Sequence, residues 1–189
     1  MDMNMQPVVD DRQLLRDIAA GNRQALAELY TRYQRPLFNY LLQLTPDYWL
    51  AEELLQDTLV AVWKSAHSFE ERSSVQTWLI GIARRQAHNT LRQRKIPLIY
   101  ESEMEAMAAI EPESGDFTLA TIAREELAAA FTQLAPVHRE ILALIFVQEL
   151  SYAETATILG VPVGTVKSRL SNARRALRSL LNARKELKR

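Results

Sequence analysis

Apolar residues recur along this chain at intervals of three and four, the spacing that lines one face of an α-helix, and they seldom alternate as a strand requires. The first stripe follows Asp10 and Asp11, either of which can cap a helix that runs through Ala20 and stops at Gly21-Asn22. Leu26, Leu29, Tyr30 and Tyr33 stripe a second helix. Pro36 is expected to interrupt or kink it near Arg32, because the ring crowds the carbonyl four residues back. Leu37, Tyr40, Leu41 and Leu44 continue the pattern to Thr45-Pro46-Asp47. A third helix, from about Tyr48 to Ser65, buries Leu50, Ala51, Leu54, Leu55, Val62 and Trp63. Its first half gathers Glu52, Glu53, Gln56 and Asp57 into an acidic patch.

A loop from His67 to Ser74 contains Phe69. Ser73 and Gln76 then have the spacing of a capping box, which starts a helix running to about Lys95. Its buried side is Leu79, Ile80, Ala83, Ala87, Thr90 and Leu91; Trp78, Gly81, Arg85, His88, Asn89 and Arg92 share the other. An aromatic ring, a glycine and a row of hydrogen-bonding and cationic side chains make a stacking platform beside a phosphate track. That is the chemistry of single-stranded or flipped-base binding. From Ile96 to about Thr118 the composition turns to Pro, Ser, Gly and acids, the mark of a linker, with room for a brief helix through Met104, Met107 and Ile110. Leu119 to Leu134 is helical again, on Ile122, Leu127, Ala130 and Phe131. Pro136 opens a strongly apolar helix through Ile141, Leu142, Leu144, Ile145 and Phe146.

The stretch from Ser151 to Leu170 reads as a helix-turn-helix. Ser151 and Glu154 form a capping box, Gly160 supplies the left-handed stop, and Pro162 stands where the next helix begins. Val166, Leu170, Ala173 and Leu177 face inward along that second helix. Gly164, Thr165, Ser168, Ser171, Asn172 and Arg175 lie opposite, with Lys167 and Arg169 on the shoulders. Short hydrogen-bonding side chains between cations suit a major groove. The segment carries no acid between Gly160 and Arg184, whereas an ordinary solvated helical hairpin would mix its signs.

Composition and charge add further constraints. With 5 Gly and 7 Pro in 189 residues, the expected fold class is all-α: two small helical domains, residues 1–96 and 119–189, joined by an acidic linker, 97–118. With no cysteine there is neither a disulfide framework nor a thiolate metal site, which fits a cytoplasmic protein. No signal peptide or membrane-inserting span is expected. The net charge is zero, but the charges are segregated. Arg84, Arg85, Arg92, Arg94 and Lys95 form a basic block; Glu101, Glu103, Glu105, Glu111, Glu113 and Asp116 an acidic one; the C-terminal helix is basic again. His67, His88 and His138 are scattered and no phosphate-cradling glycine loop is present. No catalytic residue, metal site or cofactor is therefore expected.

Ala51-Glu-Glu-Leu-Leu-Gln-Asp-Thr58, Thr77-Trp-Leu-Ile-Gly-Ile-Ala-Arg84 and Val163-Gly-Thr-Val-Lys-Ser-Arg-Leu170, in this order and separation, resemble a bacterial RNA polymerase sigma factor of the extracytoplasmic-function group. The resemblance covers nearly the whole chain. It implies that Glu53, Leu54, Gln56, Asp57 and Leu59 dock on the clamp helices of core RNA polymerase. It implies that Phe69, Trp78, Arg85, His88, Asn89 and Arg92 engage the −10 element and capture a base from the stack, Asn89 matching a base-pocket position. Thr165, Lys167, Ser168, Arg169, Asn172 and Arg175 would read the −35 element in promoter DNA. The linker would thread the channel that RNA later fills, and an anti-sigma factor would be a further partner. The competing reading is an autonomous helix-turn-helix regulator that binds duplex DNA without polymerase; it leaves the Trp78-to-Arg92 face and the Gln56-Asp57 patch without a purpose.

Overall fold

In a computed structural model, residues 10–45, 47–94, 127 and 130–187 are described. The expected linker, its Met104-Met107-Ile110 helix and the start of the Leu119–Leu134 helix lie outside the described residues. Every regular element among the described residues is helical.

The first group is α1 (Asp11–Ala19), α2 (Arg23–Leu44), α3 (Tyr48–Ser65) and α4 (Val75–Gln93). Asp10 holds the cap position of α1 without a side-chain bond. Asp11 is drawn instead to Arg32 at 2.6 Å and to the Tyr33 hydroxyl, tying α1 to the middle of α2. Asn22 and Asp47 cap α2 and α3, each accepting two backbone N–H groups.

Pro36 neither ends nor divides α2, contrary to the sequence expectation. One missing N–H is outweighed because Leu29, Leu37, Tyr40 and Leu41, on both sides of the proline, are all buried in one core. Tyr30, expected in the apolar stripe, is instead exposed. The cap of α4 is Ser74, one residue later than expected. Its hydroxyl accepts the Thr77 N–H, which lets Val75, Leu79, Ile80, Ala83, Ala87 and Leu91 point inward together. Gln76, freed from capping, reaches across to the Gln148 carbonyl at 2.9 Å.

The second group is α5 (Pro136–Leu142), α6 (Tyr152–Leu159) and α7 (Val163–Leu187). The apolar helix expected through Phe146 widens after Leu142 into a π-turn, Ala143–Val147, closed by the Gln148 N–H on the Ala143 carbonyl. The widening turns Phe146 and Val147 outward, and Arg174 lies over the Phe146 ring at 5.3 Å. The two groups pack together: α5 meets α2, and α6 meets α4. Their buried side chains merge into one cluster running from Leu14 to Leu181.

Candidate nucleic-acid interface

The helix-turn-helix follows its sequence signature closely. Ser151 Oγ accepts the Glu154 N–H, and Glu154 Oε2 accepts the Ser151 N–H at 3.0 Å, completing the capping box. Gly160 ends α6 at φ 67°, a left-handed conformation, although nothing would crowd a Cβ there. Its glycine is demanded by backbone conformation and not by space. The Pro162 carbonyl accepts from Thr165 and Val166 to open α7. Val166, Leu170, Ala173, Leu177 and Leu181 are buried, so the inward face of α7 is as expected. Of the outward set, Lys167 and Gly164 are exposed; Thr165, Ser168, Asn172 and Arg175 are half-buried. Arg169 is different, with 9% exposure.

On α4, Trp78, Gly81, Arg85, His88, Asn89 and Arg92 do converge, lining a groove of about 490 Å³. Arg85, Asn89 and Arg92 are exposed at its rim, while Trp78 and His88 are half-buried. Phe69 packs edge-on against Trp78 with ring centroids 5.4 Å apart, so it sets the ring's position from behind the groove. Burial, and then the neighbouring Arg84, push the His88 imidazole below its ordinary pKa and favour its neutral form. Ser65, Ser68 and Ser73 add hydroxyls to the lining. Sequence periodicity missed them because Ser68 and Ser73 lie in the connection around Phe69, where no helical repeat operates. The last wall comes from the other group: Thr157 and Ile158 of α6 close one side.

The outer face of α3 carries Glu53, Gln56 and Asp57, all exposed, with Leu59 half-buried. Leu54 is fully buried and belongs to the core, so its apolar area is spent within the chain. Glu53 is paired with Arg94 at 2.5 and 2.7 Å. Trp49 and Val60, 78% and 52% exposed, extend the same face. Their spacing from Glu53 and Asp57, four and three residues, marked them as members of it.

Between the two groups lies a buried ionic hub. Glu140, 1% exposed, accepts from the Tyr40 hydroxyl at 2.8 Å and from Arg84 Nε at 2.9 Å on the same oxygen. Burial pushes the Arg169 guanidinium below its ordinary pKa. Glu154 Oε1 accepts from the hydroxyls of Ser74 and Thr77 at 3.0 Å, joining α6 to the start of α4. Gln148 donates to the Pro36 carbonyl at 3.0 Å.

A helix-turn-helix module and a separate helical module with an aromatic, cationic groove define the class of a two-part DNA-recognition protein. Residues 29–96 match sigma-70 region 2 and residues 124–177 match sigma-70 region 4. The chain is 31% identical to RNA polymerase sigma factor YlaC of Bacillus subtilis, over 87% of this chain and 96% of that protein. It is also 31% identical to ECF RNA polymerase sigma factor SigL of Mycobacterium tuberculosis H37Rv, over 86% and 92%. Among solved structures, the sigma factor RpoE bound to the anti-sigma factor NepR from Bartonella quintana is similar, with a TM-score of 0.63 and 27% identity over 82% of this chain and 96% of that one. The chain belongs to the extracytoplasmic-function sigma factors of the sigma-70 family, the promoter-directing subunits of RNA polymerase. Among the described residues, no helix is long and apolar enough to cross a membrane.

Proposed function

We propose that the chain divides promoter recognition between its modules, with residues 1–96 and 119–189 acting as the two halves and residues 97–118 as the connector. The α7 surface from Thr165 to Arg175 reads the −35 element as duplex. The α4 groove captures a non-template base of the −10 element, with Trp78 as stacking surface, Asn89 as hydrogen-bonding group, and Arg85 and Arg92 along the phosphates. Unstacking a base costs a few kcal/mol, and aromatic contacts of ~1–3 kcal/mol per base offset it. The outer face of α3, with Trp49, Glu53, Gln56, Asp57, Leu59 and Val60, docks on core polymerase; its acids suit a basic helical partner. An anti-sigma factor, of the kind that holds the similar RpoE, is the expected protein inhibitor.

The observation carrying this reading is the convergence of Trp78, Arg85, Asn89 and Arg92 in one groove on α4, away from the Thr165-to-Arg175 surface of α7. An autonomous duplex-binding regulator has no use for an aromatic, cationic groove on α4. The test is reconstituted transcription. Core polymerase with this protein should initiate from a promoter that core alone ignores, and Trp78→Ala should abolish opening while leaving polymerase association in place. Initiation unchanged by Trp78→Ala would remove the groove from the reading.

A further inference from the structure

The connection that frames the α4 groove runs from the 3₁₀ turn Ala66–Ser68 to the cap of α4 at Ser74. Ser68 and Ser73 of this connection line the groove, and Phe69 backs the Trp78 ring. Both hydroxyls donate to backbone carbonyls, Ser68 to Ser65 at 2.7 Å and Ser73 to Ser74 at 3.3 Å. Their lone pairs are left to accept from an exocyclic amino group, which adenine, cytosine and guanine carry and thymine lacks. At the centre of the connection Glu71 has φ 58°, the left-handed region that a residue with a β-carbon seldom occupies. Such a conformation persists only where its surroundings over-determine it. Here the surroundings are α1. Arg16 Nη1 donates to Glu71 Oε1 at 2.8 Å and Arg12 Nη1 to Glu71 Oε2 at 3.1 Å, so each oxygen has its own guanidinium. Gln13 Oε1 accepts from Arg16 Nε and Nη2 at 3.2 and 3.0 Å, which fixes the aim of that guanidinium. α1 is itself held by Leu14, Leu15 and Ile18 in the core, and it packs directly on the Ala66–Ser68 turn.

We propose that α1 sets base selectivity in the α4 groove through Glu71, with Arg12 and Arg16 holding the connection in the one shape that presents Ser68 and Ser73 to a captured, amino-bearing base. The inference deepens the proposed function and rests on it for the class of ligand, a single unstacked base. Glu71 does not line the groove, so it is a positioning residue that acts through the two serines. Exposed ion pairs such as these, with the Glu71 side chain 40% exposed, add little to stability. Their effect here is conformational, because one residue's preference for ordinary over left-handed backbone is similar in size to two such pairs. Losing the pairs frees Glu71 to leave the left-handed region, which turns the peptide groups leading to Ser73 and withdraws its hydroxyl. The groove then keeps its stacking ring and its cations, but loses the fixed acceptors that distinguish one base from another.

The test uses the full chain with core polymerase on a promoter that this holoenzyme opens, each non-template position of the −10 element carrying in turn adenine, cytosine, guanine or thymine. The reading is the ratio of initiation with the favoured amino-bearing base to initiation with thymine at the captured position. Glu71→Gly removes the carboxylate while suiting the left-handed backbone, and Glu71→Gln repeats the measurement if that variant melts early. Arg12→Gln/Arg16→Gln breaks the same link from α1 and leaves the connection's own sequence intact. Each set should lower the ratio about fivefold, within the range that two exposed ion pairs can transmit, with the melting temperature nearly unchanged. Combined, they should lower it no further than either set alone, because both sever one link. A ratio that holds in either set overturns the proposal. So does an additive loss, which would make Arg12 and Arg16 independent contacts to DNA. Initiation reduced alike on all four bases, with earlier melting, would make Glu71 a purely structural residue. Absence of directed initiation by the native chain is a distinct result, which fails the promoter reading itself and this proposal with it.

Discussion

Tyr40 in α2 and Glu140 in α5, a hundred positions apart, meet through a 2.8 Å hydrogen bond at a point where neither side chain reaches solvent appreciably. The same carboxylate oxygen takes Arg84 Nε at 2.9 Å. Burial, and then the facing carboxylate, hold the Tyr40 phenol well above its ordinary pKa, so it stays a donor throughout the physiological range. Tyr40→Phe removes one bond to a charged acceptor and should lower stability by ~1.5–3 kcal/mol, read as the shift in urea denaturation. Glu140→Ala should cost more, since it leaves Arg84 without its buried counter-charge and the Tyr40 hydroxyl without its acceptor. Equal losses would show that the phenol bond, and not the ion pair, dominates the hub.

Glu154 has one oxygen in its own capping box and the other on Ser74 and Thr77 of α4. Burial opposes its ionisation, yet the Ser151 hydroxyl and N–H and the Thr77 and Ser74 hydroxyls together hold its pKa below the ordinary value of 4.5. A depressed carboxylate pKa gives stability that is complete above the unfolded-state value and is lost as pH falls through the folded-state value. Acidification below about pH 4.5 should therefore loosen both α6 and its attachment to α4. Glu154→Gln should flatten that part of the stability–pH curve; an unaltered curve would place the acid sensitivity elsewhere.

The left-handed Gly160 sets the angle between α6 and α7. Gly160→Ala meets no neighbouring atom, so its cost is the backbone conformation alone, about 1–2 kcal/mol. Duplex binding should weaken with it, because the recognition helix is re-aimed. A melting temperature that drops while duplex binding holds would separate the turn from the reading surface.

Lys167 is exposed on α7, about a quarter turn from the inward face. Lys167→Ala should weaken binding to every duplex sequence alike and lower the slope of log affinity against log salt by about one unit, as loss of one phosphate contact does. A change confined to one sequence would make Lys167 a base reader.

Trp49 is 78% exposed, an unusual position for the largest apolar side chain. Trp49→Ala should change stability by less than about 0.5 kcal/mol, as exposed substitutions do, while polymerase association falls. Asp57→Arg, about two helical turns along the same face, should do the same by repulsion of a basic partner. Retained association in both variants would move the docking surface off α3.

The helices and the faces of α4 and α7 were legible in the sequence, because caps and three-four spacing are local properties that burial merely ratifies. Ser151, Glu154, Gly160 and Pro162 specified the helix-turn-helix by themselves, and Trp78, Arg85, Asn89 and Arg92 shared a face before any contact was known. Other features were decided only by tertiary packing. Pro36 stays within a helix because the core grips both of its flanks; Ser74 replaces Ser73 as a cap because Val75 must point inward. Above all, sequence placed Arg84 in a cationic block, and the fold paired it with the buried Glu140, while Arg169, expected among the DNA-reading residues, is only 9% exposed. Charge pattern says which side chains seek an anion. Only the approach of segments distant in the chain determines which anion, a phosphate or a carboxylate of the same molecule, reaches them first.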